Sequence, residues 1–243
     1  MSSRSNEERV SVIRGLLFDK DGTLLDYEAS WPPINREAGL LAAQGDAALA
    51  VRLLRAAGAD PASGLAMADS LLAAGNTIEL AQAWRSAGSP IPEIELVAGL
   101  DTLFQGAVSR MVPVCDLAGL FAELRRRDFA LGIASSDSAA AVDATAAHFG
   151  LAPHLAFACG YDSGHGVKPE AGMVLGFCRA TGLEPGEVAV IGDNGHDMEM
   201  GRAAGAGLRV AVLTGTGTRE TLTPLSHHCI ASIAQLEEVL LSI

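Results

Sequence analysis

Hydrophobic and polar positions fall into two textures along this chain of 243 residues. The apolar run Leu16-Leu17-Phe18 stops abruptly on Asp19-Lys20-Asp21-Gly22-Thr23, which predicts a buried strand delivering carboxylates to the edge of a sheet. From about Trp31 to about Arg110 nothing reads as a strand, and apolar residues recur at helical spacing. Asp46 is set to cap a helix running to Gly58 with Leu49, Leu53 and Leu54 on one face. Asp60-Pro61 reads as a cap followed by proline at a first helical position. Asn76 with Glu79 approaches a capping box that opens a helix ending near Gly88. Pro92 opens another, carrying Ile94, Val97, Leu100, Leu103 and Phe104. This block reads as an all-helical insertion packed on itself.

After Asp116 helices and strands alternate. A helix ending in Arg125-Arg126-Arg127 leads to a strand over Phe129 to Ala134, and Ser135-Ser136-Asp137 starts a helix ending at Gly150. A strand follows near Ala156 to Cys159, then a helix from Pro169 to Thr181. Val188 to Ile191 is a strand, followed by a helix to Ala204. Val210 to Leu213 is a further strand, and Leu236 to Leu241 lies in a closing helix. Such alternation predicts an α/β fold: a Rossmann-like, doubly wound parallel sheet with helices on both faces and ligands bound beyond the carboxyl ends of its strands. The expected domains are a catalytic core of residues 1–26 and 111–243 and a helical cap of residues 27–110.

Composition narrows the partners. A formal net charge of −12 repels nucleic-acid backbones and anionic membranes, which leaves a small molecule as the expected ligand. The polar N-terminus lacks the apolar core of a signal peptide, and no apolar run approaches bilayer-spanning length. Cys115, Cys159, Cys178 and Cys229 are scattered without a CxxC pair, which implies buried thiols in a reducing compartment and a cytoplasmic location. Oligomeric state is not legible.

The strand ends carry a consistent chemical inventory. Asp19 and Asp21 should point the same way, since strand side chains alternate faces, and two such carboxylates need a cation or a shared proton. Ser135 stands at a helix start, where its hydroxyl and free N–H groups can cradle a phosphoryl group. Lys168 precedes Pro169, which aims it toward the mouth of the following helix. Asp193 closes a strand, and Asp197 lies one helical turn on. Carboxylates, an ammonium, a hydroxyl and a helix N-terminus together are the equipment of Mg2+-assisted phosphoryl transfer.

The motifs FDKDGT, ASS at Ser135, Lys168-Pro169 and GDNGHD, with the tail TGTGTRETL and HHCI, resemble a haloacid dehalogenase superfamily phosphatase, most similar to the phosphoglycolate phosphatase-like branch. The resemblance implies Asp19 as nucleophile and Mg2+ ligand, and Asp21 as general acid and base whose backbone carbonyl also ligates the metal. It implies Ser135 and Lys168 as phosphoryl binders, Asp193 as a Mg2+ ligand and Asp197 just behind the ligands. The expected substrate is a small phosphate ester, with phosphoglycolate a family label. A sugar-phosphate mutase and a catalytically idle binding protein stay open as alternatives. Lys20 is expected to point away from the site. Tyr27, Glu28, Trp31, His165 and His196 are candidates for leaving-group contacts or selectivity, and Arg36, Arg52, Arg55 and Arg85 for a substrate carboxylate.

Overall fold

A computed structural model describes residues 12–242. The N-terminal stretch read above against a signal peptide lies outside those residues. Strand β1 (Gly15–Phe18) is wholly buried. Five helices follow it: α1 (Tyr27–Ala42), α2 (Ala47–Ala56), α3 (Leu71–Ala74), α4 (Thr77–Ser86) and α5 (Glu93–Ala107). After α6 (Leu117–Arg126) the chain alternates through β2 (Ala130–Ala134), α7 (Ala139–His148), β3 (Leu155–Cys159), α8 (Gly172–Thr181), β4 (Val188–Gly192) and α9 (Gly195–Ala204). It ends with β5 (Leu208–Val212), α10 (Arg219–Leu222), β6 (His228–Ile230) and α11 (Leu236–Leu240).

The six strands are parallel in the order β3-β2-β1-β4-β5-β6. In this doubly wound order the winding reverses between β1 and β4, which opens a crevice at their carboxyl ends. Alternation along the strands covers both faces. Leu16 and Phe18 of β1 join Ile133 and Ile191 against Phe121 of α6 and Val142 of α7. Leu17 and Val190 face the other way, onto Phe177 of α8 and Met200 of α9.

The helical cap is anchored where the chain crosses twice. The Asp26 N–H donates to the Val112 carbonyl at 2.8 Å, and the Val114 N–H to that of Leu24 at 3.0 Å. The block does not pack only on itself, because Trp31, Ile34, Trp84, Leu100 and Phe104 share one apolar cluster with the α6/α7 face of the sheet. The Asp46 cap and the Asn76–Glu79 capping box form as expected. Asp60 caps a turn instead of a helix, accepting from the N–H groups of Ala62 and Ser63 at 2.7 and 2.9 Å. On α5 the buried stripe is Leu96, Leu100, Phe104 and Ala107, while Ile94 is exposed. Two helix starts move downstream: Ser138 caps α7 in place of Ser135, and α8 starts at Gly172 beyond Pro169. Strand β6, short and only half-buried, carries no apolar run that would have announced it. The four cysteines are free, with Cys159 and Cys178 buried and Cys115 and Cys229 half-buried. Among the described residues no helix is long and apolar enough to cross a membrane.

Trp84 is fully buried and its indole N–H donates to the Leu53 carbonyl of α2 at 2.7 Å. Trp84→Ala should therefore cost about 3–5 kcal/mol, read as a lowered urea midpoint at unchanged m-value.

Candidate active site

Asp19 emerges from the carboxyl end of β1, its N–H donating to the Ile191 carbonyl of β4 at 2.8 Å. Asp193 follows the end of β4, so the two acids stand on either side of the point where the winding reverses. Lys168, in the loop between β3 and α8, reaches across to them. Its Nζ donates to Asp19 Oδ1 and, at 2.6 Å, to Asp197 Oδ1. Asp197 is fixed in the first turn of α9, where its Oδ2 accepts the Asn194 N–H at 3.1 Å. Asp193 is held by the Thr216 N–H, donated to Oδ2 at 2.9 Å. Two glycines make room for it: Gly22, at φ +81°, and Gly215, where a Cβ would collide with the Asp193 carboxylate.

Asp19, Asp193 and Asp197 are buried and each offers an oxygen within 4.8 Å of the others. Three carboxylates around one ammonium leave uncompensated negative charge. Burial, reinforced by Asp197 and Asp21 against the opposing pull of Lys168, raises Asp19 to about 7. Burial and the neighbouring Asp19 and Asp197 raise Asp193 well above the usual carboxylate range. Burial alone would lower the Lys168 ammonium, but Asp19 and Asp197 outweigh it and raise it. Hard oxygen donors in this arrangement suit Mg2+.

Asp21 lines the same cavity, but its carboxylate is engaged elsewhere. Its Oδ1 accepts the Trp31 indole N–H at 2.9 Å. Its Oδ2 pairs at 2.5 Å with Lys20, whose Nζ also lies 3.1 Å from Asp137 Oδ2 and 5.6 Å from the Trp31 ring centre. Lys20 does not line the cavity, as expected, but it is fully buried and tied to Asp21. The reason is charge, because burial would depress its ammonium but Asp21 and Asp137 more than offset that and raise it. Asp137, raised by its own burial against the pull of Lys20, reads in the sequence only as part of a helix start; the signal for its site role is its place two residues beyond Ser135 at a strand end.

Ser135 lines the cavity and its hydroxyl accepts the Asp137 N–H at 3.0 Å. Tyr27, Trp31 and His196 line it as well, whereas Glu28 is exposed and His165 packs on Phe157 away from it. None of the four candidate arginines reaches it: Arg36 and Arg85 donate to the carbonyls of Ser63 and Ser89, and Arg52 and Arg55 are exposed.

Two measurements check this electrostatic arrangement. Lys20→Met leaves Asp21 and Asp137 without their buried cation and should destabilise by about 3–5 kcal/mol; an exposed lysine would give a change within about 0.5 kcal/mol. The raised Asp19 carboxyl makes the folded state bind its proton more tightly than the unfolded chain, so its contribution to stability falls as pH rises from the ordinary 3.8 to about 7. In metal-free buffer, Asp19→Asn should therefore gain thermal stability relative to wild type across that window, read by calorimetry at pH 4 and pH 8.

Comparisons with known proteins agree with this geometry. A phosphoglycolate phosphatase from Chromobacterium violaceum is 32% identical over 95 residues, which are 39% of this chain and 41% of that protein; the match thus spans well under half of that relative. The fold matches CbbY from Rhodobacter sphaeroides, solved in complex with phosphate, with a TM-score of 0.71 at 17% identity over 96% of this chain and all of that one. It also matches a predicted phosphoglycolate phosphatase from Haemophilus somnus, with a TM-score of 0.68 at 16% identity over 93% of this chain and 97% of that one. The sequence model of the haloacid dehalogenase-like hydrolases matches residues 13–205, most of the chain. With its doubly wound sheet and helical cap, the chain belongs to the haloacid dehalogenase-like hydrolase family.

Proposed function

We propose that the protein is a Mg2+-dependent phosphomonoester hydrolase that acts on a small phosphorylated metabolite through an aspartyl-phosphate on Asp19. The single observation that carries this reading is the pairing of Asp19 with Lys168 beside Asp193, in a cavity at the carboxyl ends of β1 and β4. Asp19 and Asp193 would hold the metal with the backbone carbonyl of Asp21, while Asp197, both of whose oxygens are engaged by Lys168 and Asn194, would steady the lysine. When bound, Mg2+ supplies positive charge against the phosphate dianion and the attacking carboxylate.

The chain's own residues account for the bond changes. The free oxygen of Asp19 attacks phosphorus while Lys168 holds the other, and the bond from phosphorus to the ester oxygen breaks. Asp21 gives its proton to the departing oxygen, then takes one from the water that attacks the aspartyl-phosphate, releasing inorganic phosphate and restoring Asp19. Lys168 and Ser135 bind the phosphoryl oxygens throughout. Because Trp31 and Lys20 occupy both oxygens of Asp21, the acid reaches the leaving oxygen when one contact is released. Trp31 lies on α1, so cap position and acid orientation are linked.

The reading includes the division proposed from sequence, a cap of residues 27–110 on a core of 1–26 and 111–243. The paired crossings at Leu24–Asp26 and Val112–Val114 support it. Phosphoglycolate is a candidate substrate through the name of the Chromobacterium relative. With Mg2+ present the protein should release phosphate from p-nitrophenyl phosphate. Asp19→Asn should lower kcat by about three orders of magnitude or more, and EDTA should abolish activity until Mg2+ is restored. Robust turnover by Asp19→Asn would reject the proposal.

A further inference from the structure

The cavity around Asp19 has a distinctive charge pattern. Five carboxylates line it, those of Asp19, Asp21, Asp137, Asp193 and Asp197, against one lining cation, Lys168. That cation is already shared between Asp19 and Asp197. The one other ammonium close by, on Lys20, is fully buried behind Asp21 and Asp137 and is committed to them. Opposite the acids the cap contributes an apolar wall from α3, with Leu80 and Phe104 beside it. Among the described residues, no arginine lines the cavity.

One cap feature looks suited to an anion, the N-terminus of α4, whose Asn76 and Thr77 face the cavity. Its capacity is spent. The Asn76 side chain accepts the N–H groups of Ile78 and Glu79 at 3.0 and 3.1 Å, and the Glu79 carboxylate accepts the Asn76 N–H at 3.0 Å. A negative charge therefore already sits where the helix dipole would welcome one. The other polar groups lining the cavity on this side are the Thr77 hydroxyl, the Ser136 hydroxyl, which donates weakly to the Ala74 carbonyl at 3.4 Å, and His196, whose Nδ1 is buried without a partner. The cavity measures about 80 Å³, about half the roughly 150 Å³ of a cavity that holds benzene, so with the cap in this position the alcohol part of an ester is small.

We infer that the site hydrolyses phosphate monoesters of small uncharged alcohols and discriminates against esters whose alcohol part carries a carboxylate or a second phosphate. The inference rests on the phosphatase reading above and sharpens it. A second anion on the leaving group would lose its hydration against the apolar cap wall and meet no uncommitted cation, because Lys168 is shared by Asp19 and Asp197 and a bound Mg2+ would be engaged by the acids and the phosphoryl group. Phosphoglycolate carries such an anion one carbon from the ester oxygen. A hydroxymethyl group in place of that carboxylate pays no such penalty and can hydrogen-bond to Ser136 or Thr77.

The test compares pairs matched in size, with the full chain and Mg2+: 2-hydroxyethyl phosphate against phosphoglycolate, and glycerol 3-phosphate against 3-phosphoglycerate. In each pair kcat/KM should favour the uncharged alcohol by about tenfold or more, equivalent to about 1.4 kcal/mol. Equal or faster release from the two carboxylates would overturn the inference while leaving the hydrolase reading intact. No release from any of the four or from p-nitrophenyl phosphate would overturn the hydrolase reading itself. A gain-of-charge variant supplies a second check. Ala74→Arg adds a guanidinium to the half-exposed cap wall and should shift the ratio toward phosphoglycolate by about tenfold. An unchanged ratio in a folded, active variant would count against the account.

Discussion

The structure depends on a buried excess of negative charge at the carboxyl ends of β1 and β4. Asp19, Asp193 and Asp197 have oxygens within 4.8 Å of one another. At that separation two carboxylates repel by roughly 3.5 kcal/mol at an effective dielectric constant of about 20. Lys168 compensates part of this, and the raised Asp19 and Asp193 carboxyls express the rest. Such an arrangement persists only because rigid elements impose it: two adjacent strands, the first turn of α9, and glycines at 22 and 215 that let the chain crowd Asp193. In the proposed reading, a divalent cation and a phosphoryl group turn this cost into binding.

Two lysine-centred knots stand side by side in the crevice. Lys168 joins Asp19 to Asp197, and Lys20 joins Asp21 to Asp137. Their stoichiometry is the same, one ammonium to two carboxylates. Asp193 tips the balance of the first, which is where the proposed reading puts the metal. The second holds Asp21, the acid and base of the proposed reaction, through Lys20 and Trp31, and Trp31 packs against Tyr27 and Phe104 of the cap. In that reading, chemistry on the core and the position of the cap meet at one indole.

Much of this was legible in the sequence, and the limits have physical causes. The buried strands were clear from short apolar runs bounded by turns, and α2 and α4 from side chains that cap them locally. The residues at the strand ends were legible because a parallel sheet sends all such ends to one edge. Asp60 misled because an Asp-Pro cap stabilises a turn as readily as a helix. Ile94 misled because helical spacing does not say which of two overlapping stripes faces inward. Lys20 and Asp137 were missed as a pair because they are distant in the chain and nothing local reports a buried ion pair. The empty promise of the four cap arginines has the same origin: position in the sequence of a helix does not reveal which groups reach a cavity.

The most direct measurement is an acid quench during turnover of an isotopically labelled phosphate ester, followed by mapping of the labelled peptide. The account expects the label as a hydroxylamine-sensitive acyl phosphate on Asp19, at the junction of β1 and the acid cluster. Label recovered on a different side chain, with turnover undiminished when Asp19 is replaced by asparagine, would contradict it.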